Sequence, residues 1–181
     1  MFERVWTVVV AGTYRKTNAR LFGYRRRQIR GEAYPALVPG MMDEQVDGVV
    51  YLDVGPRDAV RLDRFEGAYY SKKKEFCSLP DGSRISAWVY VFKERFADLV
   101  EPQTWDPEWF EKEGIHAFMA AYQGYRWIDE AADAPESLVR YRTGRRLPGQ
   151  PREQPPALVG GGNAGNGAEK NRRIDKCRWV E

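Results

Sequence analysis

Cysteine and histidine are scarce in this chain of 181 residues, which holds two of the first, Cys77 and Cys177, and one of the second, His116. The cysteines lie far apart with no CxxC spacing, which excludes a disulfide scaffold and a zinc finger and suits a reducing, cytoplasmic setting. A lone histidine inside a helical segment reads as a surface or structural residue. A transition-metal site would need more ligands. A Ser-His-Asp triad would have to use this same histidine, and no nucleophile elbow accompanies it. Long apolar runs are missing too: none approaches the ~18 residues that a spanning helix needs. Met1-Phe2-Glu3-Arg4 lacks the charged-then-apolar layout of a secretory signal. A net charge of +3 is small for a dedicated nucleic-acid binder.

What the chain has is core material. Apolar residues make up 43% and aromatic ones 13%, enough to exclude global disorder. Charge is unevenly placed: residues 140–181 hold ten Lys/Arg and four Asp/Glu, net +6, leaving −3 for residues 1–139. From about Arg145 onward Pro and Gly alternate with Arg, and a Gly/Asn/Ala stretch follows from Gly160 to Gly167. Such a composition cannot bury enough apolar area to offset its ordering entropy. The expectation is therefore a folded domain over 1–140 and a Pro/Gly/Arg-rich tail over 141–181. That tail is read as mostly disordered, with a short Ile174–Val180 segment able to dock. Gly160-Gly161-Gly162 lies in this tail rather than between a strand and a helix, so it is not a phosphate loop.

Within the domain most signals are of strands. Val5–Ala11 is an apolar, β-branched run of strand length, read as a buried strand. Leu21–Arg30, Tyr34–Val38 and Val46–Val54 are further candidates, with Pro39-Gly40 as a turn. Glu75–Leu79 and Ile85–Phe92 flank Pro80-Asp81-Gly82, a hairpin turn. Lys72-Lys73-Lys74 reads as a solvated strand edge. Two helices interrupt this pattern. One begins at Pro56 and runs to about Phe65. The other has Asp106 as N-cap and Pro107 at its first position, with Ile115, Phe118, Met119 and Tyr122 on one stripe and Gly124 to close it. The fold class predicted is α+β, a small, mainly antiparallel β-barrel with flanking helices.

Two places depart from local rules. Glu66 falls where the first long helix should end, before Gly67, although a carboxylate is disfavoured at the negative end of a helix dipole. Either it is an exposed helix-end glutamate, or Phe65, Tyr69 and Tyr70 desolvate it and make it a proton acceptor near neutral pH. Ala11-Gly12-Thr13-Tyr14 follows the first apolar run; it is either an ordinary turn or a backbone nest for an anion.

Taken in order, several segments resemble the gamma-glutamylcyclotransferase-like family, which includes the plant avirulence-induced AIG-type proteins. They are Gly23-Tyr24-Arg25, Tyr34-Pro35-Ala36-Leu37-Val38-Pro39-Gly40, Val46-Asp47-Gly48-Val49-Val50-Tyr51, Leu62-Asp63-Arg64-Phe65-Glu66-Gly67 with Tyr69-Tyr70, and Ala87-Trp88-Val89-Tyr90. The resemblance covers about residues 5–125. Ala11 stands where the family has Tyr, and only Arg15–Phe22 separate the expected loop from Gly23.

The resemblance implies a barrel with a cavity at one end and release of 5-oxoproline from a small gamma-glutamyl amine or peptide. Glu66 would accept and return the proton. Ala11, Gly12, Thr13, Tyr14, Arg15 and Lys16 would form the substrate loop. Such a ring closure needs a folded substrate, a base and oxyanion donors, with no metal or cofactor. The competing reading is a non-catalytic small-molecule binding member of the same fold. A third gives the basic tail a weak contact to nucleic acid or anionic membrane, although neither signal is strong.

Overall fold

The computed structural model of the chain describes residues 2–121 and 178–180. Its elements are α1 (Glu3–Val9), β1 (Lys16–Phe22), β2 (Tyr24–Gln28), β3 (Pro35–Pro39), β4 (Gln45–Tyr51), α2 (Pro56–Glu66), β5 (Tyr70–Ser78), β6 (Arg84–Phe92), α3 (Pro107–Trp109), α4 (Ile115–Ala121) and β7 (Arg178–Val180). A 3-10 turn, Gly67–Tyr69, joins α2 to β5, a second 3-10 stretch, Glu94–Leu99, follows β6, and a π-helical turn, Phe110–Gly114, joins α3 to α4. Strands β1, β4, β7, β6 and β5 close in that order into a barrel, while β2 and β3 form a separate two-stranded sheet. The pairings are antiparallel except for β6 with β7. This is the α+β barrel with flanking helices expected from the sequence.

Period-2 alternation fills the barrel. Ala19 and Leu21 of β1, Val46 and Val50 of β4, Cys77 of β5 and Trp179 of β7 are buried together with Ala87, Val89 and Val91 of β6. The other face of β6 is buried as well. Tyr90 joins the core beneath the helices, and Phe92 joins Ile29 and Ala36. At the hairpin, Gly82 takes φ +82°, and Asp81 Oδ1 accepts from the Ser83 amide at 2.9 Å and its hydroxyl at 2.6 Å.

One expectation fails outright. Val5–Ala11 is not a strand: Glu3–Val9 is helical. The β-branched run hides a second period, because Phe2, Val5, Trp6, Val9 and Val10 stand at i, i+3, i+4, i+7 and i+8 and pack into one core. Arg4 and Thr7 face outward. Trp6 stacks on Tyr51 of β4 with ring centroids 3.5 Å apart, so tertiary packing overrides local strand propensity. The Leu21–Arg30 segment is also divided. Gly23, at φ +76°, carries the chain out of the barrel and into β2.

The last helical stretch starts as read. Asp106 Oδ1 accepts from the amides of Glu108 at 2.9 Å and Trp109 at 3.1 Å. Ile115, Phe118 and Met119 pack on the core. Tyr122, Gly124 and residues 145–173, expected to be disordered, lie outside the described residues. Of the 141–181 tail, Arg178–Val180 are described, and they form the barrel strand between β4 and β6.

Candidate functional site

Helix α2 carries the candidate chemistry at both of its ends. Pro56 opens it, Ala59 and Leu62 bury its inner face, and Gly67 ends it at φ +65° with its amide donating to the Asp63 carbonyl. The helix therefore stops at Glu66, as the sequence suggests, and Asp63 and Glu66 share one face a single turn apart.

At the first end, Asp58 is almost fully buried. It accepts from the Ala11 amide at 3.2 Å, the Gly12 amide at 2.9 Å and the Tyr14 hydroxyl at 2.8 Å. It also meets Arg61 at 2.6 Å in an ion pair buried on both sides. Burial alone would push the Asp58 carboxyl up, but the bonds from Tyr14, Gly12, Ala11 and Arg61 outweigh it and hold the group below the usual carboxylate range. Burial and the Asp58 bond push the Tyr14 hydroxyl up. The Ala11–Gly12 backbone does act as an anion nest, and the anion it grips is an internal one.

The rest of the expected loop points the same way. Thr13 is exposed, Arg15 pairs with Asp53 at 3.0 Å, and Lys16 pairs with Glu3 at 2.9 Å. The structure brings Ala11, Gly12 and Tyr14 to Asp58. Asp58 stands eight positions before Glu66 on α2, roughly 12 Å along the helix axis.

At the second end, Glu66 is half-buried. Two phenols feel its charge, Tyr34 before β3 and Tyr90 on β6. Burial first, then Glu32, Tyr69 and Glu66, pushes the Tyr34 hydroxyl up and disfavours its ionisation. Burial first, then its hydrogen bond to Asp63 and the charge of Glu66, does the same to the Tyr90 hydroxyl. Both phenols therefore stay protonated near neutrality and can act as hydrogen-bond donors.

Tyr90 donates to Asp63 Oδ1 at 2.5 Å, and Lys72 donates to Asp63 Oδ2 at 2.6 Å. Lys72, read from sequence as part of a solvated edge, thus has a partner in α2. Phe118 sits edge-on to both Phe65 and Tyr34, closing an aromatic wall beside the helix end. Tyr69 and Tyr70 both pack on Phe92, and Tyr70 donates to the Pro35 carbonyl at 2.6 Å. His116 is exposed on α4.

Sequence reasoning missed Tyr34, Tyr90 and Arg178 as members of this cluster. Tyr90 had a usable signal, since it shares a β6 face with Trp88 and Phe92. Arg178 had none, because its place depends on a strand pairing across the barrel.

Comparison with known proteins gives the following. A family model described as "Gamma-glutamyl cyclotransferase, AIG2-like" matches residues 1–107. The solution structure of At3g28950.1 from Arabidopsis thaliana is similar at 20% identity and TM-score 0.50, over 84% of this chain and 90% of that one. The solution structure of At5g39720.1 from Arabidopsis thaliana aligns at 22% identity and TM-score 0.49, over 75% and 88%. None of the curated proteins matches the chain.

Proposed function

We propose that this chain, which belongs to the AIG2-like gamma-glutamyl cyclotransferase family, releases 5-oxoproline from a gamma-glutamyl amine or peptide, with Glu66 as its proton acceptor and donor. Family membership supports cyclotransferase chemistry in general. The observation that carries the assignment to this residue is the position of Glu66. It closes α2 one turn from Asp63, within the electrostatic reach of two protonated phenols, Tyr34 and Tyr90.

The reaction suits such a site. The substrate's α-amine attacks its own γ-carbonyl, so a C–N bond forms within a five-membered ring and the original amide C–N bond breaks. Glu66 takes the proton from the attacking nitrogen and returns it to the departing amine. No electrons change hands, and no side-chain nucleophile is needed. Holding the two ends of one molecule together supplies much of the rate. A phenol hydrogen bond can stabilise the oxyanion as it forms.

In this reading the Ala11–Lys16 segment contributes by anchoring α2 through Asp58 rather than by reaching the reacting atoms. The test is a 5-oxoproline release assay on the full chain across a panel of gamma-glutamyl amines and peptides. Turnover of at least one member is expected. Binding without turnover across the panel would favour the non-catalytic module.

A further inference from the structure

Strand β7 places a charge where the barrel would otherwise be apolar. Arg178 is 6% exposed, although arginine is rarely buried without partners. The register sets it opposite Tyr51 of β4 on one side and Trp88 of β6 on the other. Tyr90 follows Trp88 by two residues and so lies on the same face of β6. The guanidinium charge reaches the Tyr90 hydroxyl, the same hydroxyl that donates to Asp63 and feels Glu66.

A guanidinium cannot shed its proton at any ordinary pH, and a buried one is stable only beside compensating negative charge. The negative charges that act on the same Tyr90 hydroxyl are Asp63, hydrogen-bonded to it, and Glu66, one turn on along α2. Two carboxylates so placed repel each other. Lys72 of β5 offsets Asp63 from a partly exposed position. Arg178 acts on Tyr90 from a buried position, where solvent ions screen least. The Tyr34 phenol also feels the charge of Glu66.

We propose that Arg178 is a positioning residue of the Glu66 site, its guanidinium holding the Tyr90–Asp63 pair and offsetting the negative charge gathered beside Glu66. The C-terminal strand would then be part of the reaction machinery, and not only a closing strand of the barrel. The inference rests on Glu66 as the proton acceptor, and its test is built to fail separately from that reading.

The experiment uses the full chain with Arg178→Gln and Arg178→Lys. It follows the Glu66 carboxyl by carbon-13 NMR across pH, beside kcat and KM for a gamma-glutamyl amine. Arg178→Gln is expected to move the Glu66 midpoint to higher pH and to lower kcat more than it raises KM. Arg178→Lys, which keeps the charge, should restore most of both. A purely structural role would lower the melting temperature and leave the midpoint in place. Arg178→Met serves where the Gln variant does not fold.

An unmoved midpoint in a folded neutral variant overturns the proposal. So does the failure of both neutral variants to fold while Arg178→Lys folds, because the residue would then be a framework group. A shifted midpoint in a chain that turns over no gamma-glutamyl compound would support Arg178 and contradict the reaction.

Discussion

Tyr90 on β6 donates its hydroxyl to Asp63 on α2 across 2.5 Å, and this bond ties the helix that ends at Glu66 to the barrel wall. Lys72 of the neighbouring strand holds the other carboxylate oxygen at 2.6 Å. Helix, β5 and β6 thus meet at one side chain, one turn before the candidate proton acceptor.

Tyr90→Phe removes that tie and little else. A hydrogen bond to a charged group contributes roughly 1.5–3 kcal/mol, so the denaturant midpoint should fall by a corresponding amount with an unchanged slope. Turnover should drop as well, because the end of α2 loses its register against β6. A Phe variant as stable and as active as the parent would show that the Tyr90–Asp63 bond positions nothing.

Asp58→Asn tests the other end of the helix. The substitution removes the charge that Arg61 meets at Asp58 and weakens the grip on the Ala11 and Gly12 amides. Removing one partner of a buried pair costs about 3–5 kcal/mol. The pH dependence has a definite sign. The folded-state value of Asp58 is depressed, so its contribution is present above the ordinary carboxylate value and is lost as pH falls toward the lowered one. Stability of the parent should therefore decline through the acid range below about pH 4, the ordinary carboxylate value. The Asn variant, already weaker, should decline less steeply there. Equal slopes in acid denaturation would contradict the depressed carboxyl.

Gly67→Ala isolates a backbone effect. At φ +65° a side chain is strained, while the space around the position is open. The cost should be roughly 1–3 kcal/mol, read from thermal unfolding, with no change in packing. A neutral result would mean that α2 does not end in this conformation.

Much of this architecture is written in local patterns. The Pro56 start, the Glu66-Gly67 stop, the Asp106 cap and the Asp81-Gly82 hairpin each depend on neighbours a few residues away, and each is read directly from them. Val5–Ala11 was misread because its strand propensity and its helical stripe coincide, and only Tyr51, distant in sequence, decides between them by stacking on Trp6. The same limit applies to the site. Glu66 stands out by its placement at a helix end, and Asp63 belongs to the same short motif. Tyr34, Tyr90 and Arg178 reach them only through barrel closure. The carboxylate nest at Ala11-Gly12 was legible as a device, but that its anion is Asp58 depends on contacts 46 and 47 residues apart.

The most direct measurement of the central claim is steady-state release of 5-oxoproline by the parent chain and by Glu66→Gln, on the best gamma-glutamyl substrate found. The Gln side chain keeps the shape and removes the proton exchange. A fall of roughly 10²–10⁴-fold in kcat is expected, with the melting temperature nearly unchanged. A folded Glu66→Gln chain that turns over substrate as fast as its parent would contradict the assignment of Glu66 as the proton acceptor.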